Sequence, residues 1–309
     1  EIGGIPHETV TEDCHASLKM QRLGWNTAYL RIPLAAGLAT ERLMIHIGQR
    51  MRWARGMVQI SRMDNPLFGP GLTLAQRICY FSAMYHFFFA LPRVVFLTAP
   101  LAFLLLGYSV IAASPLAIIA FAGPHIVHAV ATGSRVAGGV RHSFWSEIYE
   151  TVLALWLIPM TIATLLDPKK GKFNVTEKGG LLPEGYFDWR AVWPSVILTA
   201  FLAAGVSAGV HGVLTNPWGS LESQAFLLNG IWATLCLVPA LASVAAGRER
   251  KQVRSSARVS VALPAMLVLP DGRRIDARTR DLSLGGAGLV LAETPTIDAE
   301  TPVRLELPM

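Results

Sequence analysis

ERLMIHIGQRMRWARGMVQISRM, residues 41–63, interleaves Arg42, Arg50, Arg52, Arg55 and Arg62 with apolar side chains. A helix of that pattern buries an apolar stripe and holds its cations at the edges, as expected of an amphipathic helix at a membrane surface. The surrounding chain agrees. Its 309 residues are 52% hydrophobic and 16% charged, with a mean hydropathy of +0.42. That exceeds what soluble domains show, so part of the chain is expected in lipid.

Upstream, ETVTEDCHASLKMQRLGW (8–25) predicts a helix over about 12–23, stopped by Gly24. Thr9 or Thr11 can cap it, and Glu12 and Asp13 suit the positive end of its macrodipole. The short extended TAYLRIPLA follows, so residues 1–71 read as the soluble end of an α/β domain. The opening EIGGIPHETV has no initiator Met, no basic n-region and no apolar h-region. It is not a signal peptide, and the chain is expected to begin within a longer protein. Cys14, Cys79 and Cys236 are far apart, which argues against a disulfide framework or a zinc site and fits a reducing compartment.

Downstream, five apolar stretches occupy about 87–107, 109–132, 151–166, 192–214 and 224–246. A span needs about 20 apolar residues. The third has only 16 between Glu150 and Asp167 and contains Pro159, so it reads as interfacial or re-entrant and four spans remain. GSRVAGGVRH, DPKKGK and GRERKQVR are basic, whereas GYSVIAASP and HGVLTNPWGSLESQ lack Lys and Arg. The positive-inside rule puts the first three on the cytoplasmic side, so the soluble segments at both ends share that side. The net charge of +6 is therefore read as membrane-facing, with no nucleic acid implied. Trp145, Trp156, Trp189, Trp193 and Trp218 near span ends read as interface anchors.

After Ala246 the pattern turns to short alternating runs, SVALPAMLVLP, IDARTRDLS, GGAGLVLAE and PVRLELPM, with Asp271-Gly272 as a hairpin turn. A small β-barrel is expected, incomplete in this chain.

Three constellations carry chemistry. In QRMRW, Gln49 and Trp53 are i and i+4 and share a helix face with Arg52, while Arg50 points elsewhere. Trp53 offers a ring to a sugar face, and Arg52 and Gln49 can bond diphosphate oxygens or hydroxyls. KKGKFNVTEKGG (169–180) is a polar Lys- and Gly-rich segment between apolar stretches, and its Lys178 suits a diphosphate. Arg250 and Arg254, followed by Asp281, Ser283 and Gly286 of DLSLGG, combine two guanidinium groups for phosphates and guanine faces with a turn that can bond a purine edge.

In this order, TED, QRMRW, FNVTEKGG and RKQVR with DLSLGG resemble the bacterial cellulose synthase catalytic subunits, processive family 2 glycosyltransferases, over essentially the whole chain. The resemblance implies a multidomain membrane protein. Residues 1–71 would be the C-terminal part of an α/β GT-A glycosyltransferase domain. Residues 72–247 would be an α-helical transmembrane region with an interfacial helix at 143–166 and a gating loop at 169–180, and residues 248–309 a β-barrel PilZ domain.

The same resemblance assigns Asp13 as the general base of an inverting transfer, with Glu12 and Thr11 shaping the site. It assigns Gln49, Arg50, Arg52 and Trp53 to the acceptor and UDP. Phe173, Val175, Thr176, Lys178 and Gly179 match the gating loop, and Arg250, Arg254, Asp281, Ser283 and Gly286 the cyclic di-GMP site. It implies UDP-glucose, a growing β-1,4-glucan, the bilayer and a periplasmic partner subunit, in the bacterial inner membrane. Mg2+ is implied too, its ligands and the donor-binding aspartates lying upstream of this chain. Two alternatives share the pattern: another processive β-glycan synthase, or a non-catalytic membrane-bound cyclic di-GMP receptor.

Overall fold

The computed structural model describes residues 2–30, 39–109, 114–137, 142–169, 182–251, 258–293, 295–298 and 300–307. They fall in two compact units. The first takes in residues up to Ala28, the run from Arg42 to Thr176, and Tyr186–Glu249; the second is mainly Arg250–Met309.

In the first unit, α1 (Glu12–Arg22) has Glu12 and Asp13 in its first turn and Lys19 and Arg22 in its last, each complementing the macrodipole. It ends where expected. Gly24 has φ +88°, and the Gly24 and Trp25 N–H groups bond the carbonyls of Gln21 and Met20, a Schellman closure that needs a left-handed residue. The cap differs from expectation: neither threonine hydroxyl caps the helix. The Thr11 side chain makes no cap bond, because it is turned onto Gly56, and Thr9 Oγ1 meets His15 Nδ1 at 3.1 Å instead. Thr27–Leu30, the described part of TAYLRIPLA, forms no strand.

The arginine-rich segment is helix α2 (Leu43–Met63). Its apolar face is covered by protein: Leu43, Ile47 and Ala54 pack with Val152, Leu157 and Val192. Those partners come from α6 (Ser143–Leu166) and α7 (Trp189–Thr215). The first N–H of α2, at Leu43, donates to Glu249 Oε1 at 2.6 Å, since Arg42 at its N-cap has no capping side chain. At the other end Asp64 accepts from Arg22 at 2.9 Å and lies 3.5 Å from His15 Nε2, mooring α1 to α2.

The apolar region continues with α3 (Leu74–His86), α4 (Ala90–Leu106), α5 (Pro115–Ala137), α6, α7 and α8 (Leu221–Ala245). Four described helices, α5 to α8, are long and apolar enough to cross a membrane; α3 and α4, bent by 48°, make a fifth if taken as one span. The set differs from the sequence expectation in two places. Helix α4 alone has 17 residues, about 26 Å at 1.5 Å per residue, short of a 30 Å hydrocarbon core. Helix α6 has the limits expected for the interfacial helix, 24 residues from Ser143 to Leu166, yet it is long and apolar enough to cross a membrane, although its uninterrupted apolar stretch has 16 residues and contains Pro159.

Helices α7 and α8 approach closely over glycines. A Cβ on Gly209 would stand 3.0 Å from Gly230 Cα, and one on Gly212 would enter the Phe226 ring at 2.3 Å, the small-residue packing that brings membrane helices together. Trp156 Nε1 donates to Ala191 O at 3.0 Å, so the ring is spent between helices. Two short strands, β1 (Tyr186–Phe187) and β2 (Arg248–Glu249), pair antiparallel at the ends of α7 and α8.

The second unit holds β3 (Pro264–Val268), β4 (Arg274–Ser283), β5 (Gly286–Leu291) and β6 (Arg304–Glu306), an antiparallel sheet in the order β5-β4-β3-β6. The Asp271-Gly272 turn closes β3 on β4, with Gly272 at φ +82° and Val268 opposite Arg274. Alternate residues face in: Leu267 and Ile275 are buried with Leu269. A closed barrel is not present among the described residues, because the edge strands β5 and β6 do not pair with each other.

Candidate active site and nucleotide site

The start of α1 is set against α2 by Gly56 and Gln59, about one helical turn apart. Arg52, Gly56 and Gln59 occupy i, i+4 and i+7, one face of the helix. Gly56 forms the notch: a Cβ there would stand 2.2 Å from Thr11 Oγ1 and 2.7 Å from Thr11 Cβ, so Thr11 rests directly on the helix backbone. One turn on, Gln59 Oε1 accepts the Val10 N–H at 3.1 Å. Segment 10–13 is thereby held against the helix that carries Arg52 and Trp53.

The result is a cleft of about 440 Å3 lined by Thr11, Glu12 and Asp13 from the start of α1 and by Arg52, Trp53 and Met57 from α2. Residues of two motifs 36 residues or more apart in the chain thus line one cleft. The Cys14 N–H donates to Asp13 Oδ1 at 2.8 Å, orienting the carboxylate. The Arg50 guanidinium stands 4.8 Å above the Trp53 ring, which stiffens the ring by a cation–π contact. Arg50 is therefore coupled to the motif's shared face, contrary to the expectation that it points away; neither it nor Gln49 lines the cleft.

Electrostatics at the α1 end favour neutral neighbours. Burial, helped by Asp13, pushes the Cys14 thiol up to about 11. Its thiolate fraction at pH 8 is then about one part in a thousand. Iodoacetamide at pH 8, followed by peptide mass spectrometry, is expected to leave Cys14 unmodified, with alkylation rising only above about pH 10. Rapid labelling at pH 8 would show Cys14 open to solvent. His15 is 2% exposed, and burial holds it below its ordinary range, so it is neutral at pH 7.

In the second unit, Asp281 and Ser283 lie at the end of β4. Ser283 Oγ donates to Gly286 O at 3.0 Å, closing the DLSLGG turn. A Cβ on Gly288 would lie 2.9 Å from both Asp281 carboxylate oxygens, so the backbone there must be bare. Asp281 is paired with Arg258 at 2.7 Å and Arg280 at 3.3 Å. The Arg258 hydrogen bond, the larger influence, holds its carboxyl below the usual range. Thr279, 2% exposed, accepts from Leu263 N at 2.8 Å and donates to Val261 O at 2.5 Å, which binds the stretch after Arg258 to β4. Arg250 is exposed. Arg254 and the loop residues Phe173, Val175, Thr176, Lys178 and Gly179 lie outside the described residues.

Three residues escaped the sequence reading. Gly56 had a signal: a glycine inside a helix costs about 1 kcal/mol against Ala, so it calls for a packing reason. Arg258 had one too, since Arg254 and Arg258 repeat the four-residue spacing of Arg250 and Arg254. Gln59 had none, because a polar residue on an amphipathic helix reads as solvated until its neighbours are known.

A carboxylate pair, an arginine and an aromatic ring thus line one cleft, in a unit whose helices α5 to α8 are long and apolar enough to cross a membrane. The chain belongs to glycosyl transferase family group 2, whose model matches residues 1–166, and residues 252–309 match the PilZ domain. It is similar to putative cellulose synthase 2 of Komagataeibacter xylinus, 58% identical over 307 residues, 99% of this chain and 20% of the relative. It is also similar to the UDP-forming cellulose synthase 1 catalytic subunit of the same organism, 53% identical over 291 residues, 94% of this chain and 39% of the relative. The UDP-forming cellulose synthase catalytic subunit of Pseudomonas fluorescens (strain SBW25) is 50% identical over 308 residues, 99% of this chain and 41% of the relative. The chain thus spans a fifth to two fifths of the relatives it matches.

Proposed function

We propose that this chain supplies the acceptor-binding and proton-accepting part of a cellulose synthase that extends β-1,4-glucan from UDP-glucose, passes it across the bacterial inner membrane and is activated by cyclic di-GMP. One observation carries the reading: the cleft that joins Thr11, Glu12 and Asp13 to Arg52 and Trp53. The terminal glucose of the glucan lies against the Trp53 ring and presents its hydroxyl to Asp13. As that oxygen bonds to the anomeric carbon of UDP-glucose, Asp13 takes its proton and the bond from that carbon to the diphosphate breaks. UDP leaves, with Arg52 beside its charge. Attack from the face opposite the leaving group inverts the anomeric centre.

The family implies a divalent metal, Mg2+ in this reading. Among the described residues no three His, Cys, Asp or Glu side chains are grouped to hold one, so the residues here do not fit it and no step above passes through it. The glycosyltransferase and PilZ parts are assigned to the cytoplasmic side, and a periplasmic partner subunit to the other. Helix α6 is assigned to the interface: half of its apolar window is covered by protein, more than any of the other three candidates. The gating-loop assignment of 169–180 rests on its match to the family's motif.

The PilZ part is assigned to cyclic di-GMP through Arg250, Arg254, Asp281, Ser283 and Gly286, with Arg258 added. Because Arg258 and Asp281 already bond each other, the ligand gains a guanidinium and a carboxylate held in place. Arg258→Ala is expected to weaken cyclic di-GMP binding about tenfold, the loss of one charge-assisted bond, as read by calorimetry. The Arg258 hydrogen bond holds the Asp281 carboxyl below its ordinary value, so its contribution is present above that ordinary value and lost only as pH falls through the lower folded one. Binding should therefore show no Asp281-dependent change between pH 5 and 8. The test of the whole reading is UDP-glucose incorporation into cellulase-sensitive polymer by the full-length protein, with and without cyclic di-GMP. Absence of UDP-glucose turnover would favour a non-catalytic receptor, and a cellulase-resistant polymer another glycan synthase.

A further inference from the structure

Gln59 is 3% exposed, and both ends of its amide are used. Its Oε1 accepts the Val10 N–H at 3.1 Å, immediately ahead of Thr11, Glu12 and Asp13. Its Nε2 donates to the Pro168 carbonyl at 2.8 Å, just beyond α6. No charged side chain could do both, because the two backbone partners demand one acceptor and one donor about an amide's width apart. The Pro168 carbonyl also removes the ambiguity of a flipped amide. It can only accept, so it keeps the NH2 group on its side and the oxygen toward Val10.

We infer that Gln59 is a positioning residue for transfer. It fixes the distance between Asp13 and the Arg52–Trp53 face by pinning Val10 to α2, and it uses the end of α6 to orient its own amide. The inference rests on the proposed transferase reading. Gly56 seats Thr11 by shape, yet a shape contact lets a short segment rotate. The Val10 bond supplies the second point that stops rotation of residues 10–13 about Thr11. Because Gln59 does not line the cleft, its loss should be felt in turnover, while donor affinity changes little.

Two variants in the full-length protein, in native membranes, test this. Gln59→Leu removes both bonds at similar volume. Its kcat for polymer formation from UDP-glucose is expected to fall at least tenfold, with KM for UDP-glucose within threefold and cyclic di-GMP binding unchanged. Gln59→Glu reports through pH. A buried carboxyl facing the Pro168 carbonyl has a raised pKa. Its protonated form can donate to Pro168 and accept from Val10, whereas its ionised form repels the carbonyl. Its kcat relative to the unaltered protein should be near one at pH 6 and fall severalfold by pH 8.5, while the Gln59→Leu ratio stays flat. A Gln59→Leu kcat within twofold of the unaltered protein, or a loss confined to KM, overturns the inference. If Gln59→Leu does not accumulate, a pH-independent Gln59→Glu ratio overturns it. Failure of the unaltered protein to make polymer would instead overturn the transferase reading.

Discussion

Asp13→Asn in the full-length protein is expected to lower glucose incorporation from UDP-glucose by about a hundred- to ten-thousand-fold, the usual loss when a general base is removed. The substitution isolates basicity. The asparagine oxygen can still accept the Cys14 N–H that now bonds Asp13 Oδ1, and the residue keeps its place in the first turn of α1. What disappears is the lone pair able to take a proton from the attacking hydroxyl. KM for UDP-glucose should remain close to that of the unaltered protein, and cyclic di-GMP binding should not change. Initial rates of cellulase-sensitive polymer formation measure this. A rate within tenfold of the unaltered protein would remove Asp13 from the role of base.

Gly56→Ala is the second large effect, and it acts by shape. The new methyl group would overlap Thr11, whose nearest atom is 2.2 Å away and whose Cβ is 2.7 Å away. A β-branched side chain has no free rotamer with which to yield, because its own Cβ is part of the overlap. Either α1 lifts from α2 or the helix bends, at a cost of about 1–3 kcal/mol. Lifting moves Asp13 away from Trp53, so polymer formation should fall about 10- to 100-fold, the scale expected of roughly an ångström of misplacement. The double variant Gly56→Ala, Thr11→Gly removes the overlapping Cβ and should recover part of the loss. A cycle over the two positions would read their coupling. Additive effects would mean that Thr11 does not depend on the Gly56 notch.

Membrane character was legible through the apolar middle of the chain, since apolar composition requires no partner to be recognised. The limits of individual spans were less so. Pro159 and a 16-residue apolar stretch suggested that α6 falls short of a span, yet the helix, within the expected limits 143–166, takes in Glu147 and Glu150 and is long and apolar enough to cross a membrane. One of them explains itself in three dimensions: Glu147 pairs with Arg93 of α4 at 2.5 Å, a partner 54 residues away. The DG hairpin was legible because its tight turn, three residues between Leu269 and Arg273 with Gly272 left-handed, depends on local backbone preference alone. The barrel was less so, because closure depends on whether edge strands meet.

At the candidate site, the sequence by itself determined the chemical groups: a carboxylate pair at a helix start, an arginine and a tryptophan on one helix face, and an Asp-Ser-Gly turn after paired arginines. These follow from residue type and from the 3.6-residue period, both local properties. Only the tertiary structure decided which of them meet. That Thr11 seats a notch instead of capping its helix, that Arg50 covers Trp53, and that Asp281 is held by Arg258 depend on side chains up to 45 residues apart. Gln59 shows the difference most plainly. A glutamine has no periodicity to betray it, and its meaning comes from two backbone groups, at Val10 and Pro168, that only folding brings to either end of its amide.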